Sequence, residues 1–516
     1  MAIPFVLADW LVIAAYLLLL VAGGWIFTPR GTASARDYFL AGGNVPAWLA
    51  AISVLSATQS AATFLGGPDY GFHGDLTYLG GNIAGLIGAV FVAHVMIPRF
   101  YAMRATTAYE LLTLRFSPRA TRWAGGMFLI GRVLAGGARV YLAAIALAMV
   151  IAGGVSAGSI MVAAALLVIA SVLFTFVGGL KSVLWNDLMQ FIVYLGSAIA
   201  VLLFLRWSIP ASTAEIVRAL ANAPGGVDKL RLFDWSTDLS RPFSMLAIVT
   251  GLTLLYIANA GMDQDTTQRL LSCRDARTGA RGLYLSVLAT VPAVGIFIVI
   301  GLLLHVFYQR PELMGGAAAT AGVQFGGEKI SIFMHYILTE LPGGLRGLVT
   351  VGICAAAVAT TNSALNAMSS VLVQDFYRPW RVARGPVPEA HFVQAGRAGM
   401  GVIGAAMLAM AVASYYWQRH SDMGLLEFAL QVMVFTYAGL LGVYFTALFT
   451  TRGTTASVIA ALLTGFLTIV LLQPAIARGL GLPGALTALS FPFQLCIGAA
   501  VAFLVCAAPR GGVART

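Results

Sequence analysis

Apolar runs of about 20 residues, the length that crosses a hydrocarbon core of about 30 Å, recur along this whole chain. Thirteen are readable: roughly 7–27, 45–72, 79–97, 123–152, 159–180, 183–206, 243–264, 282–308, 345–376, 397–417, 424–449, 454–477 and 485–508. In lipid every backbone polar group must find an internal partner, so such a chain folds as helices or as a closed barrel, and runs this long dictate helices. The composition agrees: 59% of the residues are hydrophobic and 10% charged, against about 25% charged in soluble domains. The expected class is therefore an all-α membrane protein of about 13 transmembrane helices embedded in a lipid bilayer.

The first run is expected to be a retained helix. Asp9 stands where a secretory signal would be positive, and nothing basic precedes Arg30. Cys273, Cys354, Cys496 and Cys506 have no metal-ligand spacing and read as small core residues. The longest polar stretches, 207–242 and 309–344, are too short for an appended soluble domain.

A net charge of +11 raises the question of nucleic acid, but the placement of the charge answers it. With the N-terminus outside and thirteen crossings, the cytoplasmic side receives Arg30 and Arg36, the cluster Arg99, Arg104, Arg115, Arg119 and Arg122, then Lys181, then Arg269, Arg274, Arg277 and Arg281, then Arg378, Arg381, Arg384 and Arg397, then Arg452, and finally Arg510 and Arg515. The basic balance is a topology signal of the positive-inside kind, and no nucleic-acid partner is implied. The expected location is a bacterial-type inner (plasma) membrane, N-terminus outside and C-terminus cytoplasmic.

Two spans look broken. In the second, a polar patch runs from Ser53 to Thr63, preceded by Gly42-Gly43 and ended by Gly66-Gly67-Pro68; in the seventh, Asn259-Ala260-Gly261-Met262-Asp263-Gln264-Asp265 interrupts the apolar run. Unwound backbone at membrane depth is tolerated where it lines a site. The two breaks are five spans apart, as a five-plus-five inverted repeat requires. This divides the chain into an extra N-terminal helix (7–27), a first repeat (45–206), a second repeat (243–449) and two extra C-terminal helices (454–508).

Three further constellations could carry chemistry. The ninth span contains Ala355–Asn366, rich in hydroxyls and amides, which either bond neighbouring helices or offer oxygens to a hard cation such as Na⁺. Asp187, about one turn inside the membrane in the sixth span, is either a functional carboxylate or an interfacial one paired with Lys181 or a loop arginine. Arg132 and Arg139 share one face of the fourth span and either pair with carboxylates in the bundle or attract an anionic solute. Gly154-Val155-Ser156-Ala157-Gly158 matches the G-x-S-x-G pattern but lies in a turn between helices, and neither a zinc-protease motif nor a phosphate loop is present. An enzyme is not expected. Polar groups at mid-membrane between apolar stretches favour alternating access over a channel.

These residues resemble the sodium:solute symporter family over roughly 5–470. The markers are Ser53–Thr63 followed by Gly-Pro, Gly178-Gly179 with Trp185-Asn186-Asp187-Leu188-Met189-Gln190, Asp263-Gln264 with Gln268-Arg269, and Ala355–Asn366 running into Gln374-Asp375-Phe376-Tyr377. The resemblance implies a principal Na⁺ site of the Ser56 and Gln59 carbonyls, the Ala356 carbonyl, and oxygens of Ala359 and Thr360. Ala359 stands where the family usually has serine and offers only its carbonyl. It implies a second Na⁺ site, present in some members, of Asp187, Asn362 and Ser363. Thr58, Ser60 and Thr63 match positions that hold a carboxylate in sialic-acid members, Asn82 stands where those have glutamine, and their substrate arginine falls between Arg132 and Arg139. Asn259 and Gln264 are the remaining candidate substrate contacts. The function implied is sodium-coupled import of a small organic solute by a chain acting as a monomer. A carboxylate-bearing sugar acid such as sialic acid leads, and a neutral sugar or amino acid is the alternative.

Overall fold

A computed structural model describes residues 5–27, 35–152, 154, 156–224, 226–316, 324–325, 328–329, 331–419 and 425–509. Arg30, Arg510, Arg515 and Val155 of the sequence reading lie outside these residues.

Among the described residues the only strands are the pair Gln324–Phe325 and Glu328–Lys329; all other regular structure is helical. Seven helices are long and apolar enough to cross a bilayer, from Thr77–Ala102 to Leu426–Phe449. Two bent helix pairs bring the number to nine if each is one span. Four shorter apolar helices, Leu7–Gly23, Ala157–Leu173, Thr455–Leu471 and Phe491–Ala507, fall where the remaining predicted spans stand. The predicted count of thirteen is reached only if these four cross as well.

Both expected breaks are present. Ala47–Thr58 and Ala61–His73 meet at 67°, and Met245–Gly261 and Gln264–Leu271 at 53°. At the first, Gln59 and Ser60 take extended backbone, and the Ser60 hydroxyl caps the second half by accepting the Ala62 amide at 3.2 Å. At the second, Asp263 is extended and its carboxylate accepts the Asp265 amide at 3.0 Å. This break lies at Met262–Asp263, so Asn259 remains helical.

Gly66-Gly67-Pro68 does not end the second span, as the sequence suggested. The helix continues through Pro68 to His73, and its glycines serve close packing, Gly66 on Leu426 and Gly67 on Phe297 of Ala276–Gln309. A Cβ on Gly71 would sit 2.4 Å from the Ile298 carbonyl oxygen, and one on Gly301 2.1 Å from that of Pro68. The fifth and sixth spans meet at Gly179, whose φ of 58° and ψ of −162° break the helical run from Ala157 to Ser208. Glycine is required there by that conformation and by the Tyr38 carbonyl oxygen, 2.6 Å from where a Cβ would stand.

Leu345–Val382 is the central helix: 89% of its apolar window is buried, against 33% for Gly179–Ser208. The polar stretch of the ninth span therefore faces protein, and each hydroxyl and amide on it needs a partner or a ligand.

Candidate substrate and sodium sites

The two breaks open onto one cavity. Thr58, Gln59, Ser60 and Thr63 line it from the first, and Asn259, Ala260 and Thr266 from the second; Arg139 enters from the fourth span, and Tyr78, Phe243 and Leu426 contribute apolar wall. Its empty space, mouth included, is about 1110 Å³. A largely apolar wall with a few converging polar groups is the usual form of a small-molecule site. Two of its polar atoms, Gln59 Oε1 and Arg139 Nε, are buried without a hydrogen-bond partner among the described residues, which favours a ligand rich in polar atoms.

The structure separates the two arginines that share a helix face. Arg132 is 5% exposed and committed to carboxylates: Nε lies 3.4 Å from Asp263, and Nη2 contacts Asp265. The Tyr437 hydroxyl donates to Asp263 at 2.5 Å and completes that cluster. Arg139 makes no ion pair among the described residues; its Nη2 contacts the Met433 sulfur at 3.4 Å, and the guanidinium faces the cavity. The pairing with carboxylates is thus seen for Arg132, while Arg139 lines the cavity. Arg132 does not line the cavity, and its charge is engaged by Asp263 and Asp265.

Two other candidates also stand elsewhere. Gln264 is buried and fully used by backbone, accepting from the Ala108 amide at 2.8 Å and donating to the Thr106 carbonyl at 2.9 Å. Asn82 does not line the cavity, although Tyr78 and Gly81 do, and its amide donates to the Leu79 carbonyl at 2.8 Å.

Asp187 lies in a buried charge network centred on Arg269. Arg269, fully buried, donates to Asp187 at 3.1 Å, to Asp265 Oδ1 at 2.5 Å, to the Asp265 carbonyl at 2.6 Å and to Ser53 at 2.7 Å, and it also reaches the Ser363 hydroxyl. Ser53 donates to Asp187 Oδ2. The interfacial reading with Lys181 is thus replaced, and Arg269, counted from sequence as a cytoplasmic charge, is an interior one. With Arg132 included, three carboxylates, Asp187, Asp263 and Asp265, face two guanidiniums. Asp187 Oδ1 is buried and without a hydrogen-bond partner among the described residues. Asn362 makes no hydrogen bond to Asp187 among the described residues: with its amide oriented to suit its neighbours, it donates to Ser171 at 3.2 Å and Thr175 at 3.2 Å and accepts from Asn186 at 3.3 Å.

At the principal candidate site, the helix stops at Thr58. The carbonyls of Ser56, Ala57 and Thr58 therefore lack the amide that a continued helix supplies. Ser56, Gln59, Ala356, Ala359 and Thr360 are all buried. Thr360 donates its hydroxyl proton within its own helix, to Ala356 at 2.8 Å and Ala357 at 3.1 Å, which leaves its lone pairs for a cation. Ala359 contributes no side-chain oxygen, so its part in any set here is its backbone carbonyl. Sequence reasoning missed Arg269 and Tyr437. A signal existed for the first, since a basic residue six positions beyond the Asp263 break has a carboxylate close at hand in Asp265.

The family model for the sodium:solute symporter family matches residues 38–465. The sodium/sialic acid symporter SiaT of Proteus mirabilis is 30% identical over 373 residues, 72% of this chain and 71% of that protein. The sodium/sialic acid symporter NanT of Aliivibrio fischeri is 27% identical over 425 residues, 80% and 79% of the two chains. A solved sodium-coupled sialic acid symporter in a substrate-bound outward-open state shares the fold, with a TM-score of 0.79 at 24% identity over 99% of this chain and 100% of that one.

Proposed function

The chain belongs to the sodium:solute symporter family, and within it we propose that this member imports a carboxylate-bearing solute, with sialic acid the first candidate. The observation that carries the proposal is the Arg139 guanidinium, without an ion-pair partner among the described residues, facing a cavity with the hydroxyls of Thr58, Ser60 and Thr63. A guanidinium offers a carboxylate two parallel hydrogen bonds, and the hydroxyls and Asn259 suit a polyhydroxylated body. The sialic acid transport of two relatives supports the same choice. A thermal-shift screen tests it: sialic acid should raise the melting temperature, and more so with Na⁺ than with K⁺, because a ligand that binds only the folded form stabilises it by mass action. Stabilisation by neutral sugars alone would overturn the choice.

Na⁺ is the co-transported cation. Its principal site is the Ser56, Gln59, Ala356 and Ala359 carbonyls with the Thr360 hydroxyl, supported by the helix end that frees the first of these. Thr360→Ala removes the one side-chain oxygen. The Na⁺ concentration for half-maximal uptake should rise about tenfold, the worth of one good contact to a charge. Unchanged sodium dependence at normal expression would remove Thr360 from the site.

A second Na⁺ sits at Asp187 with Ser363, without Asn362. Its support is the unpartnered Oδ1 and the excess of carboxylates over guanidiniums. Each inward charge adds about 2.3 kcal/mol per 100 mV, so a second ion strengthens accumulation of a monovalent anion. The chain works as a monomer in the plasma membrane, N-terminus outside, with residues 45–206 and 243–449 as the inverted halves that rock about the site.

A further inference from the structure

A second recess, about 1070 Å³ with its open mouth included and sharing no lining residue with the transport cavity, opens sideways between three helices, Pro118–Ala152, Leu345–Val382 and Glu389–Arg419. Its rim is exposed, Val402 at 71% and Trp380 at 52%.

The lining changes character along its length. Arg122 stands near the start of the first helix, Tyr377 and Trp380 near the end of the second, and Ala395 near the start of the third. The start of a helix, the end of its neighbour and the start of the next mark one end of the bundle, so the charge and the amphipathic rings cluster there. Further along, the walls are Leu372, Val373, Phe376 and Val402. From Trp380 back to Leu372 is eight residues, about 12 Å of helix. The floor is open because Ala398 and Gly399 are small: a Cβ on Gly399 would already stand 3.0 Å from Leu372 Cδ2.

The charge at the polar end is available. Arg122 is exposed and makes no ion pair among the described residues. The nearby carboxylate of Asp375, 5% exposed, is turned inward and held by the Thr107 hydroxyl at 3.0 and 3.2 Å. Glu389 is taken by Arg378 at 2.5 Å. Arg384 stacks on Trp380 at 3.9 Å and adds a second cation at the same end.

We propose that this groove holds one anionic phospholipid. The phosphate lies on Arg122 with Arg384 beside it, Tyr377 and Trp380 sit at headgroup level, and one acyl chain runs along Leu372, Phe376 and Val402. Amphipathic rings favour the headgroup depth, and basic pockets between spanning helices suit acidic headgroups.

The test is native mass spectrometry of the full-length protein in detergent with equal amounts of phosphatidylglycerol and phosphatidylcholine. Wild type should retain one phosphatidylglycerol in preference to phosphatidylcholine. Arg122→Gln should lower that retention about fivefold, the worth of one basic residue at a membrane surface, and Ala398→Trp should displace both lipids by filling the floor. Arg119→Gln, on the same exposed turn but outside the groove, should behave as wild type. Arg122→Gln removes no ion pair among the described residues, so it decides the matter even if the tryptophan variant fails to fold. Equal retention of the two lipids by wild type, or undiminished phosphatidylglycerol retention in Arg122→Gln, would overturn the proposal.

Discussion

Arg139→Ala is expected to weaken solute affinity at least thirtyfold while leaving the protein as stable as wild type. Among the described residues this guanidinium makes no ion pair, and its hydrogen-bond contact is the Met433 sulfur. A carboxylate buried against it loses a charge-assisted pair on truncation, about 2–5 kcal/mol, and about 2 kcal/mol is already thirtyfold. Arg139→Lys keeps the charge and loses the planar fork, so it should recover only part of the affinity. Arg132→Ala is the contrasting variant. It takes the guanidinium from Asp263 and one of two guanidiniums from Asp265, both 1% exposed, and should lower the melting temperature before it alters solute selectivity. Binding isotherms and melting curves on the three variants check the assignment, and equal behaviour of Arg139→Ala and Arg132→Ala in both assays would refute it.

Arg269→Ala should be the most damaging single change in the bundle, at about 3–5 kcal/mol, because it leaves buried charges uncompensated. Its guanidinium serves Asp187, Asp265, Ser53 and Ser363 together. Adding Asp187→Asn removes one orphaned charge and should restore part of the stability, a coupling that a double-mutant cycle reads directly. Alone, Asp187→Asn keeps the shape and removes the charge, so the Hill coefficient for Na⁺ should fall from near two towards one. Additive losses in the cycle would mean that the pair is not coupled. A wild-type Hill coefficient of one, with the same charge-to-solute ratio in the mutant, would leave Asp187 a structural partner of Arg269.

Much of the site could be read from the chain because lipid makes polar residues conspicuous. The breaks at Gln59 and Asp263 were visible as polar and glycine-bearing interruptions at matching places, and the capping hydroxyl and carboxylate there are residues whose side chains compete for backbone amides. What stayed hidden was depth. Arg132 and Arg139 share a face but are seven residues apart, about 10 Å along the axis, and the pattern does not say which level meets Asp263 and Asp265. Gln264 misled because an amide beside a break bonds a ligand or a backbone equally well, and here the Thr106–Ala108 turn claims it. Arg269 misled because a basic residue after a broken span reads as a loop charge, whereas its short helix folds back into the bundle. Gly66-Gly67-Pro68 read as a stop because the packing of Gly71 against Gly301 involves a helix more than 200 residues away.

The central claim is sodium-driven import of a carboxylate solute gripped by Arg139, and electrical recording from proteoliposomes on a solid-supported membrane addresses it most directly. Sialic acid added with Na⁺ should give an inward current that is absent with K⁺, absent with a neutral sugar, and lost in Arg139→Ala. An equal current in K⁺, or a neutral-sugar current that survives in Arg139→Ala, would contradict the account.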